Sequence, residues 1–200
     1  MMNKGFSYLI LPALFLFSSV NAVAGDGRYF IATGLGNSQF QLNEADIVAS
    51  YSSLTGTSMF NESTTSFNLL GGIQLDEYLS LEAELLSAGD ITARDAGQAF
   101  KLFDVSALAI TTTMSRQVTP RTRVFTRLGV HLWDISEPFG NLDIINSGVD
   151  LTYGFGADFN VYGGRSRQLR AQWNHYEYDG VFIDSSDSIS ISLLFLIGAE

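Results

Sequence analysis

The sequence predicts an all-β protein, an eight-stranded antiparallel up-and-down transmembrane β-barrel, and three observations predict it. Eight runs alternate apolar and polar side chains with a period of two. The connections between them alternate in length, so that long and short loops fall at opposite ends. The polar set carries glycine and isolated mid-strand charges, where a water-exposed sheet face would carry many Lys, Glu and Thr.

Residues 1–24, MMNKGFSYLILPALFLFSSVNAVA, combine one charge (Lys4), an apolar run of about a dozen residues and a small-residue end. That is the layout of a cleaved secretory signal peptide, with Ala22-Val23-Ala24 fitting the small-x-small rule; the cut falls after Ala24 or after Ala22. The run is too short for a spanning helix, which needs about 20 apolar residues. Residues 25–200 are then the outer-membrane β-barrel domain, with no length left for a second domain.

The strands expected are Arg28–Ser38, Ser66–Leu75, Leu79–Ser87, Leu102–Met114, Arg123–Asp134, Asp150–Tyr162, Gln168–Tyr178 and Ser188–Ile197. A long loop, Phe40–Thr65, follows the first, and middling loops are expected at Ala88–Lys101, Ile135–Val149 and Gly180–Asp187. Short turns are expected at Asp76-Glu77-Tyr78, around Ser115–Thr122 with its Thr119-Pro120, and at Gly163–Arg167 with its Gly163-Gly164 pair. Short turns belong to the periplasmic end of an outer-membrane barrel.

Alternation fixes two faces but not which one is wet. In LTYGFGADFNVY, Tyr153, Phe155 and Phe159 share one face, while Gly154, Gly156 and Asp158 share the other. Glu82, Glu84, Arg127, His131, Arg170, Gln172 and Asn174 fall on that second face too, so the apolar face is read as lipid-facing and the polar one as the lumen. An arginine at Phe155 should then cost about 2–4 kcal/mol and impair assembly far more than a serine at Gly156. Phe125, Leu86, Leu108, Leu194 and Leu196 point inward on this register, making the lumen partly apolar. Tyr29, Tyr78, Trp133, Tyr162 and Tyr178 lie toward strand ends, where interfacial aromatic girdles are expected.

Processing removes Lys4 and no acid, leaving 10 Lys+Arg against 21 Asp+Glu and a formal charge of −11, which argues against nucleic acid as a partner. There is no cysteine, so disulfides, thiolate metal sites, a thiol nucleophile and a lipoprotein anchor are excluded. His131 and His175 are the only histidines and form no zinc-ligand spacing; no metal or other cofactor is expected.

The opening strand GRYFIATGLGNSQF, the hairpin GGIQLDEYLSLEAEL, the strand TRVFTRLGVHLW and the hairpin YGFGADFNVYGGRSRQLRAQWNHYEY occur in the order of a small barrel. Together they resemble the outer-membrane protein A transmembrane-domain family over nearly the whole processed chain. The resemblance implies an eight-stranded barrel in the outer membrane of a Gram-negative bacterium. It also implies contact with outer-membrane lipid and lipopolysaccharide, and insertion by the outer-membrane assembly machinery. Two departures stand out: the chain ends Phe195-Leu196-Ile197-Gly198-Ala199-Glu200 rather than on an aromatic residue, and it lacks the peptidoglycan-binding domain of the family's long members.

Inside the barrel, Glu82, Glu84, Arg127, Asp158 and Arg170 are expected to meet as an ionic network, since an unpaired buried charge costs several kcal/mol. Such a network is either a structural plug or an ion gate. The long loops hold Glu44, Asp46, Glu62, Asp90, Asp95, Glu137, Asp143, Asp184 and Asp187 against Arg94 and Lys101, and are candidates to carry an extracellular ligand or divalent cations shared with lipopolysaccharide. The first loop's apolar residues, including Ile47, Val48, Tyr51 and Leu54, either cover the barrel mouth or offer a partner surface. Neither histidine sits beside a serine motif resembling the lipid-A deacylases or palmitoyltransferases. The expected protein is thus a monomeric, non-enzymatic outer-membrane barrel serving envelope integrity or surface interaction. Its alternatives are a narrow porin-like channel, a lipid-modifying enzyme and a secreted soluble ligand-binding barrel.

Overall fold

The computed structural model describes residues 28–51, 54, 58–95, 97–136, 147–161 and 166–197. The signal segment 1–24, Tyr162 with the Gly163-Gly164 turn, and the loop acids Glu137 and Asp143 lie outside the described residues. The strands are β1 (Arg28–Leu42), β2 (Met59–Asn61), β3 (Ser63–Gln74), β4 (Leu79–Ala88), β5 (Ile91–Asp95), β6 (Gln98–Thr119), β7 (Thr122–Ser136), β8 (Ser147–Asn160), β9 (Arg167–Glu177) and β10 (Ile183–Ile197), with one short helix, α1 (Glu44–Ser50).

Eight of these strands close a ring in the order β6-β4-β3-β1-β10-β9-β8-β7, with β7 returning to β6. All pairings around the ring are antiparallel. The first and last strands seal it, in register from Tyr29 opposite Ile197 to Ser38 opposite Ser188 and beyond. Closure pairs each of the eight ring strands on both sides and leaves the ring no free edge, which a hydrocarbon environment demands. Each expected strand is present, most of them longer than the alternation suggested, because pairing continues past the residues whose faces differ in polarity.

Local chemistry sets the short turns. Asp76 accepts hydrogen bonds from the backbone N–H groups of Tyr78 and Leu79, both at 2.7 Å, folding β3 back into β4. Pro120 and Arg121 connect β6 to β7, and Thr119 Oγ1 accepts from the Arg121 N–H at 3.2 Å.

The other end departs from the expected loops. The segment 88–101 is no plain loop: β5 pairs with the first residues of β6, turning at Gly97, whose φ of +83° suits a residue without Cβ. Residues of the expected long first loop supply α1 and β2, and β2 pairs with β5. A three-stranded flap of β2, β5 and β6 therefore stands on the extracellular rim. The cause is residue choice: Ile91, Ala93 and Phe103 are fully buried there, so alternation runs through the segment although its polar residues hid it.

The wall faces follow the pleat. Ile31, Leu35, Leu69, Leu128, Leu151, Phe155, Ile189 and Ile191 stand exposed around the outside. Tyr153 and Phe159 are exposed on the same wall, and Phe155 is 57% exposed. Phe125, Leu86 and Leu194 are buried inside, and Leu196 packs with the inner cluster of Phe30, Ala32, Leu70 and Leu194. Leu108 corrects the expected register: it pairs with Leu85 and Leu132 on the outer set, while Ala107 and Ala109 point inward. Trp133 and Tyr178 also depart from expectation, being only 2% and 5% exposed and turned into the barrel rather than to an interfacial girdle. Among the outer aromatics, the Trp173 ring lies 6.0 Å from that of Tyr153 and 5.2 Å from that of Phe155.

Gly156 changes the substitution test. A Cβ there would sit 2.4 Å from the Ala171 carbonyl oxygen and 2.5 Å from the Phe125 ring, so a serine strains the backbone pairing whatever its polarity. The controlled comparison is at one position: Phe155→Arg is expected to lower barrel stability in lipid vesicles by about 2–4 kcal/mol relative to Phe155→Leu, read by urea unfolding. Equal stabilities would show that this wall does not meet hydrocarbon.

Candidate functional site in the barrel lumen

Inward-facing positions on four strands bring the five predicted charges together at mid-barrel. Arg170, on β9, lies between two carboxylates. Its Nε and Nη2 donate to Asp158 Oδ1 and Oδ2 on β8 at 2.8 and 3.1 Å, while Nη1 donates to both Glu82 oxygens on β4 at 3.0 and 3.1 Å. The planar fork of arginine suits two carboxylates at once in a way that an ammonium does not. The Phe125 ring lies against the guanidinium, its centroid 4.4 Å from Cζ.

One layer further out, Arg127 on β7 is bonded to Glu84 on β4 and donates to Thr111 Oγ1 at 3.0 Å. Glu84 also accepts from Gln172 Nε2 at 3.0 Å and from Asn68 Nδ2 at 2.9 Å. Asn68 reaches β10 through Ser190 and Ser192, at 3.3 and 3.2 Å. All five charged residues are buried. Gln172 is readable on the polar face, whereas Asn68, Thr111, Ser190 and Ser192 carry no charge that marks them in the sequence. The alternating serines of Ser188, Ser190 and Ser192 were the available signal, since three small hydroxyls at period two on one face suit a crowded interior.

The network ties strands that are not neighbours. β4 and β9 are diametrically opposite in the ring, four steps apart either way, so the Glu82–Arg170 and Glu84–Gln172 contacts each cross the full lumen. A barrel of eight strands is narrow enough for paired side chains to fill it.

Above this layer His131 is fully buried, with the rings of Tyr176 and Tyr178 edge-on at 5.2 and 5.1 Å. Beyond it the extracellular half is packed with apolar side chains, among them Phe40, Leu86, Phe103, Trp133, Phe182 and Ile183. Ile47 of α1 and Leu54 belong to the same cluster, so the first loop's apolar patch covers the barrel mouth. Trp133 Nε1 donates to Asp150 Oδ2 at 2.6 Å, which satisfies the one polar atom of the largest ring in the seal.

His175 lies on the outer wall side with Tyr153 and Trp173 and pairs with Asp187 at 2.9 Å. The two histidines are therefore on opposite faces and share no site. No group of three or more His, Cys, Asp or Glu side chains that could hold a metal comes together among the described residues.

On the flap, Lys101 bridges Asp90 at 2.8 Å and Asp104 at 2.9 Å. Hydrogen bonds from Asp104 and Lys101 hold the Asp90 carboxyl below its ordinary range, while burial pushes that of Asp104 up. The same two carboxylates raise the Lys101 ammonium above its ordinary value.

A closed ring of eight antiparallel strands, apolar outside and ionic within, defines a transmembrane β-barrel of the outer membrane. The model of the OmpA-like transmembrane domain matches residues 25–182, and the chain belongs to that family. No curated protein matches it in sequence at a significant level. Among solved structures it is similar to Neisserial surface protein A, at 11% identity and a TM-score of 0.56 over 84% of this chain and 96% of that one. It is also similar to the outer membrane protein OprG from Pseudomonas aeruginosa, at 12% identity and a TM-score of 0.54 over 86% and 97%. A third is Ail, the attachment invasion locus protein of Yersinia pestis, in complex with the heparin analogue sucrose octasulfate, at 13% identity and a TM-score of 0.53 over 86% and 99%. At such identities these likenesses concern the fold.

The flap gives a pH-dependent expectation. Lys101→Met leaves Asp90 and Asp104 facing each other. Asp104, with its raised pKa, is the carboxyl that protonates first as pH falls, which removes the repulsion. Limited proteolysis of the flap is therefore expected to quicken in Lys101→Met at pH 8 and to return toward the wild-type rate at acid pH; equal rates at pH 8 would mean the bridge holds nothing in place.

Proposed function

We propose that this protein is a non-conducting, non-enzymatic outer-membrane barrel that serves envelope integrity or surface interaction through its extracellular end. The observation that carries the reading is the double obstruction of the lumen: a charge network bonded across the full diameter and, above it, an apolar seal with α1 packed into it. Water and ions would have to break charge-assisted bonds and then cross a dry layer. Tyr153, Phe155 and Phe159 contact lipid in this reading, and Glu82, Glu84, Arg127, Asp158 and Arg170 serve as the plug.

The exposed chemistry favours a partner of positive charge. Glu44, Asp46, Glu62, Asp95, Asp184 and Asp187 surround the extracellular end, and Arg94 is the cation among the described loops that has no place in the Lys101 bridge. A sulfated polysaccharide, the class to which Ail's heparin analogue belongs, would meet repulsion here. Cationic peptides, or divalent cations shared with lipopolysaccharide, fit the sign. The outward Tyr153, Trp173 and His175 rings supply a membrane-interface anchor beneath those loops.

Conductance across a planar bilayer tests the reading. The refolded wild type is expected to be electrically silent, and Arg127→Ala is expected to stay silent because the apolar seal remains above the breached network. Discrete steps in the wild type would make the protein a narrow channel instead. Steps in Arg127→Ala alone would put the whole barrier in the charges and none in the seal.

A further inference from the structure

Below the Arg170 bridge the periplasmic end of the lumen opens into a polar cavity of about 200 Å³. Asp158 apart, neither the plug nor the seal uses its lining. Arg28 enters from the start of β1, Arg123 from β7 and Arg121 from the β6–β7 turn, and Gln74, Gln117 and Gln168 reach it from β3, β6 and β9. This wall is dominated by donors, since a guanidinium carries five N–H groups and a carboxamide two.

The one carboxylate in the lining, Asp158, has both oxygens bonded to Arg170. Arg123 lies opposite Asp158 in the β7–β8 register, yet neither Arg123 nor Arg28 is ion-paired with a described residue. Arg116 and Arg167 sit at the same end of the barrel, so positive charge converges there in a chain that is otherwise strongly acidic. A concave wall of low dielectric concentrates that field in the cavity. A water occupies about 30 Å³ of liquid, so the space takes an oxyanion of phosphate size together with several waters.

We propose that this vestibule is a binding site for a phosphate group presented from the periplasm, held in bidentate fashion by Arg28 and Arg123 with the carboxamides completing its shell. The phosphate comes either from a free phosphate or pyrophosphate or from the headgroup of an anionic phospholipid of the inner leaflet. The site is independent of whether the lumen conducts, because Arg28 and Arg123 take no part in the bonded network above it.

The chain refolded in uncharged detergent micelles at low ionic strength is titrated calorimetrically in two arms. Inorganic phosphate and pyrophosphate are the first probe, and short-chain phosphatidylglycerol is the second. Saturable binding of one equivalent is expected in at least one arm, weakened at least tenfold in the double variant Arg28→Gln/Arg123→Gln. Folding of the variant is verified by the mobility of the unboiled barrel on a denaturing gel. Binding in the first arm assigns a free phosphate; binding in the second alone assigns the lipid headgroup. Should the double variant not fold, Arg28→Gln alone, at the exposed first residue of β1, is expected to weaken binding at least threefold. Absence of saturable binding in both arms, or equal binding by a folded variant, overturns the site.

Discussion

A guanidinium buried at the centre of a barrel has to be neutralised where it stands, and Arg170 is neutralised by Glu82 from the opposite wall and Asp158 from the neighbouring strand. Leaving both partners out would strand the guanidinium in a medium that cannot solvate it, and leaving Arg170 out would strand two carboxylates, in either case at a cost of several kcal/mol. The surrounding lumen is arranged to meet that requirement. Small residues on β8 and serines on β10 leave room for the long side chains of β4, β7 and β9. Because bonds run across the diameter, the wall is braced from within as well as around its circumference.

The two halves of the interior use opposite chemistry for one end. The inner half holds paired charges, which fix one another's orientation, beside the small apolar cluster of Phe30, Ala32, Leu70 and Leu194. The outer half is filled by aromatic and aliphatic side chains continuous with α1 and the flap, so the extracellular segments are anchored by the same packing that closes the lumen. The helix α1 and the flap are thus packed against the barrel, and the flap carries its own Lys101 bridge. The donor-rich cavity at the periplasmic end completes a molecule whose charge runs from acidic outside to basic inside.

Much of this was legible in the sequence, and the gaps have physical causes. Period-two alternation gave the eight ring strands and placed Glu82, Glu84, Arg127, Asp158 and Arg170 on one face, which is enough to make them meet once a narrow ring closes. Alternation says which face a residue takes but not what fills the space behind it. Trp133 and Tyr178 near strand ends suit a girdle and a plug equally well, and only the packing of Phe40, Phe103 and Phe182 against them decides for the plug. Leu108 departs from its expected face because β6 runs 22 residues and its apolar stretch from Ala107 to Ile110 blurs the period. The flap is hidden in the sequence because Thr92, Arg94 and Asp95 look like loop residues, and only the fold buries Ile91 and Ala93 beside them. Asn68, Ser190 and Ser192 lacked charge to draw attention, yet they complete the shell of Glu84.

The central claim is that the lumen charges stabilise the barrel by satisfying one another. A double-mutant cycle of Glu84→Gln and Arg127→Met, read by urea unfolding in lipid vesicles, tests it most directly. Each single variant is predicted to cost about 3–5 kcal/mol, and the double variant about 2–3 kcal/mol less than their sum, because the second removal no longer strands a charge. Costs that add within about 0.5 kcal/mol would contradict the account, since they would mean that each residue acts alone and the network is only a coincidence of packing.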